Sequence, residues 1–235
     1  MKQVKYNVEA NLYMLQTIAE KLEGLREKIV FVGGCATALL ITDPAAPDVR
    51  QTVDVDCIVD VMAHSDYRNI EKQLRALEFY QSVEDEVICR WRVKGHSFYL
   101  DIMPTDEAIL GFSNVWYKLA VIETNQVTLK NDVFIRLISP PYFLATKLEA
   151  FKGRGKGDYL ASHDLEDIIS VIDGRPELIE DIKKSGNQIK SFLAAEFTNL
   201  INIKRFREAL PGHLYNSPPG SEKVVIDRIR EIGNI

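Results

Sequence analysis

Two aspartates one residue apart, in QTVDVDCIVD at residues 51–60, are the first candidates for chemistry. On an extended strand, residues two apart project to the same face. Asp54 and Asp56 therefore point together, and Val53, Val55 and Cys57 are expected to turn the other way into a core. Adjacent carboxylates repel, and one is driven toward protonation unless a cation stands between them. A divalent ion resolves the conflict, and hard Mg²⁺ takes oxygen ligands partly from protein carboxylates and partly from substrate phosphates. The bland alternative is a pair of solvent-facing strand aspartates. Asp101, in SFYLDIMP, interrupts an apolar strand, where a carboxylate is costly unless paired or metal-bound. Gly33 and Gly34 close the apolar run KIVFV and open CATALLI. A strand-to-helix turn of this kind offers backbone N–H groups and the positive end of a helix to a phosphate. It lacks the further glycines of a P-loop or a dinucleotide fingerprint. Three carboxylates from two strands beside a phosphate-holding turn are the parts that two-metal nucleotidyl transfer needs.

The elements that must position these residues follow from periodicity. Residues 7–24 space their apolar positions as an amphipathic helix, KIVFV reads as a buried strand, CATALLI as a short helix and TDPAAPD as a loop. TVDVDCIVDV alternates as a strand, and residues 66–78 return to helical spacing. VICRWRV and SFYLDIM form a hairpin around Lys94-Gly95, with further strands expected at 116–123 and 133–138. From Pro140 the pattern is helical, broken at KGRGKGDY, DGRPEL and PGHLYNSPPGS. The expected fold is α/β (α+β): a mixed sheet flanked by helices over residues 1–139, then a helical C-terminal half over 140–235.

Composition limits the class. With 235 residues, 46% hydrophobic and 27% charged, the chain has the balance of a globular protein. No run approaches the roughly 18 apolar residues of a membrane span, and the N-terminus MKQVKYNVEANLYMLQTIAEKLEG carries charge throughout, unlike a signal peptide. Cys35, Cys57 and Cys89 are widely spaced in apolar contexts, so buried free thiols and a reducing, cytoplasmic setting are expected, with neither zinc nor disulfides. His64, His96, His163 and His213 show no ligand spacing and no triad pattern. A net charge of −5 rules out a nucleic-acid glove made of the whole surface. Local basic stretches remain: Arg90, Arg92 and Lys94 on one strand face, Lys152, Arg154 and Lys156 among glycines, and Lys183, Lys184, Lys190, Lys204, Arg205 and Arg207 near the C-terminus. The strand stripe suits either an RNA backbone or plain solvation.

The Gly pair followed by RQTVDVDCIVD, with the later YFLATKLEAFKGRGKGDYLASHDLEDII, resembles the DNA polymerase β-like nucleotidyltransferase superfamily. Within it the chain looks most like the AbiEii-type nucleotidyltransferases, toxin components of type IV toxin–antitoxin systems, over about residues 28–173. The resemblance implies a nucleotidyltransferase-type sheet and transfer of a nucleoside monophosphate from an NTP to a hydroxyl, with Mg²⁺ or Mn²⁺ as cofactor. It implies that Gly33, Gly34 and Thr52 contact the nucleotide, that Asp54 and Asp56 hold metal, and that Asp101 is the third carboxylate and general base. It further implies that Lys147 contacts the triphosphate and that Asp164 is a functional acid, with Asp167 a helical turn on. The implied acceptor is a tRNA 3′ end or other RNA, and the implied partner a cognate antitoxin. Two features depart from the pattern: a longer spacing between Gly34 and Asp54, and His163-Asp164 where many relatives carry Arg-Asp. The alternatives are an antibiotic-type small-molecule nucleotidyltransferase, with Glu84, Asp85 and Glu86 as an acidic pocket, and an inactive nucleotide- or partner-binding member.

Overall fold

Apolar strands set the frame. The computed structural model describes residues 5–155 and 157–235, and Lys156 of the basic loop and the first four residues lie outside them. The fold is mixed α/β, built as two compact units. One comprises residues 8–36 and 51–139; the other joins residues 37–50 and, of the described N-terminal residues, 5–7 to 140–235.

In the sheet unit, α1 (Tyr6–Lys21) and a 3-10 turn (Glu23–Lys28) lead into β1 (Ile29–Val32), and α2 (Gly33–Leu40) starts directly after it. There follow β2 (Asp54–Val59), α3 (His64–Ala76), β3 (Phe79–Tyr80), β4 (Arg90–Val93) and β5 (Tyr99–Pro104). Two one-turn helices, α4 (Glu107–Leu110) and α5 (Tyr117–Ala120), precede β6 (Thr124–Thr128) and β7 (Phe134–Ile138). The seven strands lie in the order β3-β4-β5-β2-β1-β7-β6. β1, an inner strand, is buried along its whole length, which is why it reads as a continuous apolar run. It pairs antiparallel with β2 and parallel with β7, while β2 and β5 are parallel. On one face of the sheet Tyr67 of α3 donates its hydroxyl to the Ile102 carbonyl at 2.8 Å.

The expected strand over 116–123 is not there. Residues 117–120 form a helical turn capped by buried Trp116, and the strand begins at Thr124. β6 is an edge strand of sequence TNQVT with both faces largely exposed, so it lacks the apolar alternation that marks a half-buried strand. The first helix also ends earlier than Gly24, because Glu23 takes a left-handed φ of 47°.

The helical unit runs through α6 (Pro140–Arg154), α7 (His163–Gly174), α8 (Leu178–Lys184), α9 (Asn187–Asn202), α10 (Lys204–His213) and α11 (Ser221–Gly233). Pro140 and Pro141 occupy the first turn of α6, where a missing N–H costs nothing. Ser162 caps α7, its hydroxyl accepting from the Leu165 N–H. α6 packs on α7 and α9, and α9 on α11, around Leu165, Ile168, Ile172, Leu193, Phe197, Val225 and Ile229. Burying each such side chain is worth about 1.5–3 kcal/mol. The loop after α2 belongs to this unit: the Thr42 and Asp43 N–H groups both donate to the Gly174 carbonyl at 3.0 Å. A Cβ at Gly174 would stand 2.8 Å from Ile41 Cγ2, so a larger residue there would force the Ile41 side chain to shift. Among the described residues no helix is long and apolar enough to cross a membrane.

Candidate active site

Strand register builds the site. β2 sets Asp56 opposite Asp101 of β5, and β4 sets Arg90 opposite the same Asp101. Residues paired across neighbouring strands share a face, so Arg90, Asp101 and Asp56 form one row. Arg92, Tyr99 and Asp54 form the next. One ligand oxygen from each of Asp54, Asp56 and Asp101 lies within 4.8 Å of the other two. Behind them Val55, Cys57, Leu100 and Ile102 are wholly buried. Val53 departs from the expected inward placement: it is 58% exposed because β2 begins only at Asp54.

Gly33, the first residue of α2 directly after β1, closes the site. It adopts φ +71°, and a Cβ built on it would stand 1.9 Å from Asp56 Oδ2 and 2.6 Å from Asp56 Cβ. The glycine thus makes room for a carboxylate, where the spacing alone suggests room for a phosphate. Gly34, beside it, is buried in the first turn of α2. Thr52 donates its hydroxyl to Asp54 Oδ1, and its N–H is held by the side-chain oxygen of buried Asn11 at 3.2 Å. In this structure Thr52 therefore orients Asp54.

Arg90 is the site residue that pattern reading misassigns. It is not part of an exposed basic stripe. Its Nε and Nη2 donate to the two oxygens of Asp101 at 2.9 and 2.7 Å, and Nη2 stands 3.5 Å from Asp54 Oδ2. Arg92 is likewise engaged, forked onto Asp85 at 2.9 Å for both bonds. That fork offsets the charge that Asp85 would bring to an acidic pocket with Glu84 and Glu86. Asp101 is only 5% exposed, and burial pushes its carboxyl above the ordinary aspartate range although Arg90 pulls the other way. All three cysteines are free and buried. Burial drives Cys57 far up and Cys89 to about 12, so neither is a ready nucleophile.

Lys147 and Asp164 come together in the helical unit. Lys147, 6% exposed, bridges Asp167 at 2.6 Å and Asp164 at 3.2 Å. Arg50 forks onto Asp167 at 2.9 Å, and Arg154 onto Asp164 at 2.8 and 2.7 Å. Arg50 in this role has no signal in the sequence beyond its place ahead of the aspartate pair. Burial lowers the Lys147 ammonium, but Asp167 and Asp164 outweigh it and hold its pKa above the ordinary lysine value. Burial likewise raises Asp164, yet the Arg154 fork and the Lys147 charge bring it below the ordinary aspartate value.

A carboxylate with a depressed folded pKa contributes stability above its unfolded value of about 3.9 and loses it as pH falls through the folded one. Urea unfolding is therefore expected to find Asp164→Asn less stable than the parent at about pH 6, with the gap closing below about pH 4. A gap that stays constant with pH would show that Asp164 is not ionised in its pair. Compared with protein-family models the sequence matches none, and compared with curated proteins it matches none.

Proposed function

We propose that the chain is a metal-dependent nucleotidyltransferase that moves a nucleoside monophosphate from an NTP to a hydroxyl acceptor, with an RNA 3′ end as that acceptor. The observation that carries this reading is the convergence of Asp54, Asp56 and Asp101 from two parallel neighbouring strands, with Gly33 shaped around Asp56. An all-carboxylate donor set, one member of it buried, suits a hard divalent ion such as Mg²⁺ or Mn²⁺. Asp54, Asp56 and Asp101 would hold it. When bound, such ions lower the pKa of an attacking hydroxyl and offset the charge on a phosphate in transit.

The remaining roles fall to the chain's own groups. Thr52 and Asn11 fix the orientation of Asp54, and the β2–β5 register fixes Asp56 beside Asp101. Asp101, the most buried of the three, is the member suited to accept the acceptor's proton. In the reaction the acceptor oxygen bonds to the α-phosphorus, the bond from that phosphorus to the bridging oxygen breaks, and pyrophosphate leaves. A toxin-like role restrained by an antitoxin belongs to the same reading.

Incubating the protein with Mg²⁺, total tRNA and each of four α-labelled NTPs in turn tests it. Label is expected on RNA with at least one NTP, and Asp56→Ala is expected to lower it about a hundredfold or more, a loss of ~3 kcal/mol of transition-state stabilisation. Binding should weaken steeply with salt, since an acidic protein contacts RNA only through local cations. RNA that stays unlabelled with every NTP would remove the RNA acceptor.

A further inference from the structure

We propose that Arg90 is a displaceable counter-ion in the carboxylate site: it stands in for a divalent ion in the resting protein and must leave Asp101 before that residue can take a metal. The inference rests on the metal-dependent reading above and adds to it a mode of regulation.

The geometry is specific. Arg90 uses two separate nitrogens on the two oxygens of Asp101, at 2.9 and 2.7 Å, and reaches toward Asp54 at 3.5 Å. Strand register puts it there, since Arg90 is the direct cross-strand partner of Asp101. Three carboxylates against one guanidinium leave two formal negative charges, which a single divalent ion balances. A second ion would find Asp101 covered and a positive charge beside it. At a few ångströms, in a partly desolvated site, that repulsion outweighs what one further carboxylate oxygen offers.

The guanidinium also has a seat that does not depend on the carboxylates. It lies over the Tyr99 ring, 4.5 Å from the centroid. Arg92 stands over the same ring at 5.6 Å, held back by its fork onto Asp85. Arg90 can thus leave Asp101 while keeping its aromatic contact, and a triphosphate supplies the anion that the released guanidinium turns toward. Metal alone then binds weakly, and metal arriving with nucleotide binds well. The device keeps the third carboxylate masked until substrate is present.

Titrating Mn²⁺ alone into the full chain, followed by the paramagnetic resonance of the free ion, tests this. Arg90→Gln is expected to bind Mn²⁺ about tenfold more tightly than the parent, and the gain should vanish in the Arg90→Gln, Asp101→Asn double variant. Equal, measurable binding by parent and Arg90→Gln would overturn the latch and leave the metal site standing. Binding by neither would remove both. The parent chain offers a second measurement that needs no folded Arg90→Gln. Its Arg90 Nε–H resonance, identified by its loss in Arg90→Lys, is expected to shift when Mg²⁺ and a non-hydrolysable NTP are added together. A resonance that does not move while the nucleotide is demonstrably bound would overturn the proposal.

Discussion

Replacing Lys147 by methionine is expected to destabilise the protein by about 3–5 kcal/mol, measured by urea unfolding near neutral pH. The lysine is almost wholly buried and lies between two buried carboxylates, Asp167 at 2.6 Å and Asp164 at 3.2 Å. Methionine keeps most of the side chain's volume, so packing changes little. The loss is electrostatic: among the described residues, Arg50 and Arg154 would be left to offset two carboxylates in a poorly solvated region. Those two guanidiniums differ in burial. Arg50 is largely buried against Asp167, whereas the Arg154 side chain is 72% exposed and much of its attraction is screened. Arg154→Ala is therefore expected to cost no more than about 1 kcal/mol. Removing the orphaned charge should rescue the first variant, so Lys147→Met combined with Asp164→Asn is expected to be more stable than Lys147→Met alone. A Lys147→Met variant as stable as Arg154→Ala would show that the arginines, and not the lysine, neutralise the pair.

The parts of this architecture that were legible in the sequence are those with one strong period. β1 declares itself by four apolar residues in a row, and β2 by the alternation that puts Asp54 and Asp56 on one face and buried Val55 and Cys57 on the other. The β4–β5 hairpin follows from alternation around Lys94-Gly95, and it sets Arg90 opposite Asp101. What escapes is whatever depends on a partner distant in sequence. The β2–β5 pairing joins residues more than forty positions apart, so the row of Asp56, Asp101 and Arg90 cannot be read until the strand order is known. Arg90 and Arg92 read as a basic stripe for a different reason: their aspartates lie only 11 and 7 residues away, but alternation gives the face of a side chain and not its ion-pair partner.

The helical unit teaches the complementary lesson. Lys147 and Asp164 are both visible as candidates, and a partnership between them is suggested by Lys147 in the middle of one helix and Asp164 in the first turn of the next. Arg50 does not follow, because its Asp167 partner is reached only by the fold of residues 37–50 onto α7. The polar edge strand β6 fails in another way, through a local pattern that resembles a loop. Burial on one face, rather than strand formation as such, is what alternation detects.

Gly33→Ala is expected to be the most damaging change of a single methyl group in the sheet unit, and two independent costs produce it. The position has φ +71°, where an alanine is strained by about 1–2 kcal/mol. The added Cβ would also stand 1.9 Å from Asp56 Oδ2 and 2.6 Å from Asp56 Cβ, closer than any non-bonded contact allows. Asp56 sits on a strand paired on both sides, so its Cβ cannot simply move away. Gly95→Ala separates the two costs, because Gly95 has φ +82° but nothing within 4 Å of the Cβ position. That control should lose only the strain, whereas Gly33→Ala is expected to lose about 3 kcal/mol or more and to weaken Mn²⁺ binding as Asp56 is displaced. Asp56→Gly removes the three atoms nearest to the new Cβ, Asp56 Oδ2, Cβ and Cγ. The double variant should then be more stable than the sum of its parts by about 1–3 kcal/mol. If Gly33→Ala and Gly95→Ala unfold alike, the chain around Gly33 relaxes without disturbing Asp56, and the glycine serves the turn and not the carboxylate.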